Sequence, residues 1–232
     1  MVQCLAFLLL FISGCNQTEK TKITPPDLSH PSKELKLASF APSNTELIYS
    51  LNCEDKLVGV CTECKYPKGV EKKPKIGSFI AAKYEKLASI KPDIALLVSG
   101  QETLASQLLR RNYKNTVLEN NKLSDISFNL KTIGKLCNKE EKAKILSSQF
   151  DKAIDDLSEI LAQKKRPKVL FCIWLNPSIC IGGEGFLNDV ITVCGGINSN
   201  HSFPTSYPKL TPEKIIAAAP EVVILPFEAK RF

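Results

Sequence analysis

Two segments of this chain repeat one another, and the repeat limits the folds open to it. Tyr84-Glu85-Lys86-Leu87-Ala88-Ser89-Ile90-Lys91-Pro92-Asp93-Ile94-Ala95-Leu96-Leu97 aligns without a gap on Pro212-Glu213-Lys214-Ile215-Ile216-Ala217-Ala218-Ala219-Pro220-Glu221-Val222-Val223-Ile224-Leu225. Glu, Lys, Pro and the final Leu coincide, Asp93 falls on Glu221, and the same offset carries Phe79 onto Tyr207. Each copy reads as a short helix, a proline-marked turn and a buried strand. Between the copies, Ala143, Leu146, Phe150, Ala153 or Ile154, Leu157 and Leu161 recur at helical spacing on one face. Asn138 and Glu141 have capping-box spacing, Lys164, Lys165 and Arg166 suit a helix C-terminus, and Pro167 stops the run. Such a helix is about 40 Å long. Alone it could be an ordinary surface helix; flanked by the repeat, it reads as a spine. The expected class is α/β, with two similar lobes joined by one long rigid helix and an incomplete second lobe.

The 232 residues suit one large or two small domains, and 44% hydrophobic content suffices for a packed core. The net charge of +7 comes from scattered lysines, with only Arg110 and Arg111 adjacent, so no nucleic-acid partner is expected.

Residues 1–15 read as a signal peptide. The apolar run from Leu5 to Ser13 is too short to span a bilayer, and Ile12-Ser13-Gly14-Cys15 resembles a lipobox, with Cys15 as the lipidated residue. A plain signal peptide is the alternative. Residues 16–34 are polar with three prolines and read as a flexible tether.

An N-terminal α/β lobe is expected over residues 35–137, the linking helix over 138–166 and the C-terminal lobe over 167–232. Strands are predicted at Leu35–Phe40, Leu57–Cys61, Ile94–Val98 and Thr116–Leu118, with helices up to Leu51, near Thr103–Arg111 and at Ser124–Leu136. Their alternation implies a parallel sheet flanked by helices. Ser43 and Glu46 have capping-box spacing, and Ser43 and Asn44 sit at a strand-to-helix turn where α/β folds bind ligands. In the second lobe, strands are predicted at Val169–Trp174, Ile179–Ile181 and Val222–Leu225, with a turn at Asn176-Pro177. Gly182-Gly183-Glu184-Gly185 fits neither phosphate-binding fingerprint and reads as a tight turn before a helix through Val193, which Gly195-Gly196 ends. The chain reaches Phe232 soon after its last strand, so the second lobe lacks counterparts of three elements of the first.

Besides Cys4 and Cys15, an odd set of cysteines remains: Cys53, Cys61, Cys64, Cys137, Cys172, Cys180 and Cys194. Outside the cytoplasm some would pair and at least one would not. Cys61-Thr62-Glu63-Cys64 has the spacing of a redox or metal pair, but histidine ligands are confined to His30 and His201, and a disulfide is the default. No catalytic order of Ser, His and Asp occurs, and no HExxH motif. An enzyme is not expected. Phe79, Tyr207, Tyr66 and Trp174 fall near predicted sheet ends and suit a large planar ligand.

Ser43-Asn44-Thr45-Glu46, Lys91-Pro92-Asp93, Cys194-Gly195-Gly196 and Pro220-Glu221-Val222-Val223-Ile224 resemble the periplasmic cobalamin and iron-siderophore binding proteins of ABC importers. The order of Val58-Gly59-Val60, Tyr66-Pro67, Asn176-Pro177, Cys194-Gly195-Gly196 and Tyr207-Pro208 is most similar to the cobalamin binders. The likeness runs from Leu35 to Leu225. It implies two α/β lobes bridged by a rigid helix, a monomer, and a ligand enclosed with little hinge motion. It also implies permease and ATPase partners and an extracytoplasmic, membrane-anchored location, with no cofactor and no resident metal. Phe79 and Tyr207 match positions that contact the corrin from opposite lobes; Glu63 and Ile179 match ligand-facing positions, changed here from aromatics. Glu85 and Glu213 match the glutamates that dock onto permease arginines, although either acid could simply stabilise a helix first turn. Family members finish the second lobe with further helix and strand, which hold the cysteine that pairs with the Cys194 position; relative to them the chain is truncated. A haem or siderophore receptor is the alternative of the same class, and a membrane-tethered thiol-disulfide oxidoreductase using Cys61 and Cys64 that of another.

Overall fold

The structure, a computed structural model, describes residues 34–226. The signal peptide, Cys15 and the tether up to residue 33 lie outside the described residues.

In the first lobe, β1 (Leu37–Ser39), α1 (Pro42–Ser50), β2 (Leu57–Val60), a 3-10 turn at Val70–Lys72, α2 (Tyr84–Ile90), β3 (Ile94–Val98), α3 (Glu102–Leu109), β4 (Asn115–Leu118) and α4 (Asp125–Cys137) follow in order. The strands form a parallel sheet in the order β2-β1-β3-β4. Strand β3 is buried throughout, which explains its unbroken apolar run: helices cover both faces of a parallel sheet. On one face Leu37, Ile94 and Leu96 meet Ile48, Leu130 and Ile133; on the other Ala38, Ala95 and Leu97 meet Leu87, Leu104 and Leu108.

Helix α5 (Glu140–Leu161) follows directly and starts later than expected. Asn138 is not its cap. Asn138 closes α4 in the left-handed conformation (φ 55°), a role asparagine tolerates, and Lys139 becomes the N-cap of α5 without a side-chain cap bond. Gly134 makes the tight α4–α5 turn possible, since a Cβ there would lie 2.4 Å from Ala143 Cβ. The expected apolar face is turned inward at Ala143, Leu146, Phe150, Ile154, Leu157 and Leu161, whereas Ala153 is exposed. The terminal cations lie beyond the helix: Lys165 pairs with Glu221 at 2.5 Å, and Arg166 donates to Gly196 O at 3.0 Å.

The second lobe contains β5 (Lys168–Leu175), β6 (Ser178–Cys180), α6 (Phe186–Val193), β7 (Ile197–Asn198), α7 (Pro212–Ala217) and β8 (Val222–Ile224). Strands β7 and β8 pair parallel with β5, whereas β6 returns antiparallel after the expected turn. The reason is the connection: Asn176-Pro177 makes a hairpin turn, and a parallel return needs a much longer crossover. Val222, Val223 and Ile224 remain 41%, 51% and 40% exposed, unlike the residues of β3. Among the described residues nothing takes the place beside β8 that β4, α3 and α4 take around β3.

The repeat is realised atom by atom. Leu37 faces Ile94 across β1–β3, and Val169 faces Val222 across β5–β8. Lys36 N–H donates to Asp93 Oδ2 at 2.9 Å while Asp93 N–H donates to Lys36 O at 2.8 Å. In the second copy, Lys168 N–H donates to Glu221 Oε1 at 3.2 Å and Glu221 N–H to Lys168 O at 2.8 Å. The repeated acid therefore ties the start of each lobe's first strand to the strand after the repeated helix. Lys91 and Ala219, also equivalent, both leave their helices with positive φ, 49° and 44°. Asp93→Ala is expected to lower stability by about 1–3 kcal/mol, because a charged acceptor of a partly buried N–H is removed. Glu221→Ala, at a more exposed position, is expected to shift the urea midpoint less; the two midpoints measured side by side check the ranking.

Candidate functional site

The sequence-predicted residues of the first lobe gather on the loops at the carboxyl ends of its strands, where α/β sheets bind ligands. Phe79 sits half-buried in the loop between Gly77 and Ala82, beside exposed Ile80. That loop is braced: Thr62 N–H donates to Gly77 O at 2.9 Å, and Ser78 N–H to Ala81 O at 2.8 Å. Glu63 is brought to the same place. Although exposed, it loses some solvent, which pushes the carboxyl pKa up, but hydrogen bonds from its own N–H, the Thr62 hydroxyl, the Cys61 thiol and Phe79 N–H hold it below the usual carboxylate range. A charged carboxylate thus stands beside Phe79. Tyr66 is largely exposed on the following loop.

Gln101, which no sequence pattern singled out, holds these loops in place. Its buried amide donates to Phe40 O at 3.0 Å and to Phe79 O, and its Oε1 accepts from Val98 N–H at 2.8 Å. One side chain joins the loops after β1 and β3 to the loop that carries Phe79.

Ser43 and Asn44 separate. Pro42 occupies the first turn of α1 with Ala41 as N-cap, so the helix begins earlier than the Ser43–Glu46 capping box requires, and no side-chain cap bond forms. Ser43 is exposed on the first turn, whereas Asn44 is buried and donates to Leu97 O at 3.0 Å, tying α1 to β3.

In the second lobe, Tyr207 is exposed on a loop held by Gly182 N–H to Ser206 O (3.0 Å) and Cys180 N–H to Pro208 O (3.1 Å). Ile179 is half-buried on β6 and bridges to Lys209. Trp174 is exposed, with its indole N–H donated to Asn176 O at 2.9 Å. The Gly182-Gly183 pair allows backbone to approach backbone: a Cβ would lie 2.0 Å from Thr205 O at Gly182 and 2.0 Å from His201 O at Gly183. Buried Asn198 and Asn200 brace the same turn, donating to Gly182 O at 2.6 Å and Ile181 O at 3.2 Å. They belong to a polar stretch whose burial has no sequence signature.

Glu85 and Glu213 are both exposed in the first turns of α2 and α7. The Thr211 hydroxyl lowers the Glu213 pKa. Lys75, Lys83, Tyr84 and Lys86 line a depression beside Glu85.

Cys61 and Cys64 have sulfurs 3.1 Å apart, both fully buried. The hydrogen bond from Cys61, helped by the Thr45 hydroxyl and opposed by burial, holds Cys64 down to about 7, while the same bond and burial push Cys61 far up. The low value suits thiol exchange, but burial keeps both sulfurs from a protein substrate. In the reduced protein the Cys64 pKa lies below its unfolded value of 9.0, so the unfolded chain binds more protons between the two. The contribution of Cys64 to stability is therefore expected to grow as pH climbs from about 7 towards 9, while Cys53, Cys61, Cys137 and Cys180, whose thiols are pushed up, act in the opposite direction as pH nears 9. Urea unfolding under reductant, compared with Cys64→Ser, checks this. Among the described residues, no group of three or more His, Cys, Asp or Glu side chains is placed to hold a metal ion.

Comparison with known proteins bears on the whole arrangement. An uncharacterised ABC transporter substrate-binding lipoprotein of Bacillus subtilis is 26% identical over 223 residues, covering 89% of this chain and 70% of that one. The vitamin B12-binding protein of Vibrio campbellii is 24% identical over 193 residues, covering 81% and 69%. The crystal structure of the periplasmic vitamin B12 binding protein of Vibrio cholerae superposes with a TM-score of 0.76 at 20% identity, over 84% of this chain and 78% of that one. The profile of the periplasmic binding protein family matches residues 37–227, from the first strand of the first lobe to just past the last strand of the second. This chain belongs to the periplasmic binding protein family.

Proposed function

We propose that this chain is the substrate-binding component of an ABC importer, held outside the cytoplasm by a lipid on Cys15, and that it captures cobalamin or a related metal chelate between its lobes. The observation that carries this reading is the equivalence of Phe79 and Tyr207. Each stands in the loop before the repeated helix of its lobe, so the fold offers one aromatic from each half. Two rings so placed suit a large planar ligand, whose faces bury apolar area against them. Glu63, Tyr66, Ile179 and Ser43 complete the rim, and Asn44 supports it from within. Capture makes and breaks no bond, and the chain acts without catalysis. Glu85 and Glu213, equivalent and exposed, suit a two-fold permease with one cationic group for each lobe. Membership of the family and the naming of two relatives as an ABC transporter lipoprotein and a vitamin B12-binding protein support the same reading.

The purified chain, incubated separately with cobalamin and with haem and passed through gel filtration, tests it. Cobalamin absorbance travelling with monomeric protein is expected. Haem alone co-eluting moves the assignment to the haem receptor, and a folded monomer that carries neither colour overturns both.

A further inference from the structure

Six of the seven cysteines among the described residues meet in twos, although only Cys61 and Cys64 are close in sequence. Cys53, just after α1, and Cys137, the last residue of α4, are buried in one apolar cluster. Cys61 and Cys64 Sγ atoms are 3.1 Å apart. Cys172 and Cys180 stand directly opposite across the antiparallel β5–β6 ladder and are buried in one cluster. Cys194 alone is exposed. Buried thiols often serve as small inert hydrophobes, which accounts for their burial but not for their pairing. Residues opposite in an antiparallel ladder have Cα atoms about 4.5–5.5 Å apart, inside the span a disulfide bridges.

We propose that these are three disulfide sites, Cys53–Cys137, Cys61–Cys64 and Cys172–Cys180, with Cys194 outside them. The oxidant is a disulfide-bearing molecule, either a small one such as oxidised glutathione or an oxidising protein. In each pair one thiolate attacks the oxidant's disulfide, forming a mixed disulfide and releasing one thiolate. The partner cysteine, deprotonated, then attacks the protein sulfur of the mixed disulfide and releases the second thiolate. One sulfur–sulfur bond forms and one breaks; two electrons pass from the protein to the oxidant, and its two thiolates take up the two protons. Oxidation takes place while the chain folds, and burial then shields the bonds. The proposal is independent of the ligand.

The full chain, refolded with oxidised and reduced glutathione, is denatured without reductant, alkylated, digested and analysed by mass spectrometry. Expected are one cross-linked peptide joining Cys53 to Cys137, another joining Cys172 to Cys180, a Cys61/Cys64 peptide lighter by two hydrogens, and alkylated Cys194. Cys172→Ser should leave Cys180 alkylated and the other two bridges intact. Alkylation of the six cysteines, a cross-link that includes Cys194, or reshuffled partners in Cys172→Ser would overturn the proposal.

Discussion

Gly77→Ala is expected to destabilise the protein by about 2–4 kcal/mol and to disorder the loop that carries Phe79. Gly77 has a φ of 142°, which L side chains rarely adopt, and an added Cβ would lie 2.1 Å from Ala81 O and 2.9 Å from Ala82 Cα. Both neighbours are backbone. They cannot withdraw without breaking the Ser78–Ala81 and Thr62–Gly77 hydrogen bonds that shape the loop. Gly100→Ala isolates the conformational part of the cost, because Gly100 also has a positive φ (93°) but nothing within 4 Å of the new methyl. It should cost about 1–2 kcal/mol. Urea unfolding of the two variants tests the distinction, and equal losses would show that the close backbone contacts at Gly77 add nothing to the cost.

Gln101→Leu is the second large effect. The change keeps approximate volume but leaves Val98 N–H and Phe40 O buried without their partner, and frees Phe79 O. At about 1–3 kcal/mol for each stranded buried group, a loss of about 3 kcal/mol is expected. The functional consequence is separable: Phe79 loses its tether, so ligand affinity should fall even under conditions where the variant remains folded. Circular dichroism melting and ligand titration on the same sample check both. Wild-type affinity in a clearly destabilised variant would confine Gln101 to a role in stability.

The repeat makes the architecture legible, because Tyr84–Leu97 and Pro212–Leu225 carry the same helix-turn-strand pattern and the structure builds both alike. Apolar runs locate β3 and β5; β3 is buried on both faces, whereas β5 is buried at Val169, Leu170 and Cys172 and exposed at Trp174. Local rules fail where two adjacent signals compete. The spacing of Asn138 and Glu141 marks a helix start, but an asparagine that tolerates positive φ also ends a helix, and α4 claims it. Ser43 loses its capping role to Ala41, because Pro42 can occupy the first turn of α1. The candidate site is legible in its aromatics and not in its braces. Gln101 reaches Phe40 and Phe79, and Asn198 reaches Gly182, contacts set by folding rather than by spacing along the chain. The cysteine partners are hidden for the same reason, apart from Cys61 and Cys64.

If Phe79 and Tyr207 grip one ligand from opposite lobes, each must be needed for the same binding event. The measurement to make is equilibrium dialysis of cobalamin against the unmodified chain, Phe79→Ala and Tyr207→Ala. One cobalamin bound per chain is expected, with affinity weakened about tenfold or more by either substitution, as the loss of about 1.4 kcal/mol of ring contact requires. Unchanged affinity in either variant, or no binding by the unmodified folded chain, would contradict capture between these two aromatics.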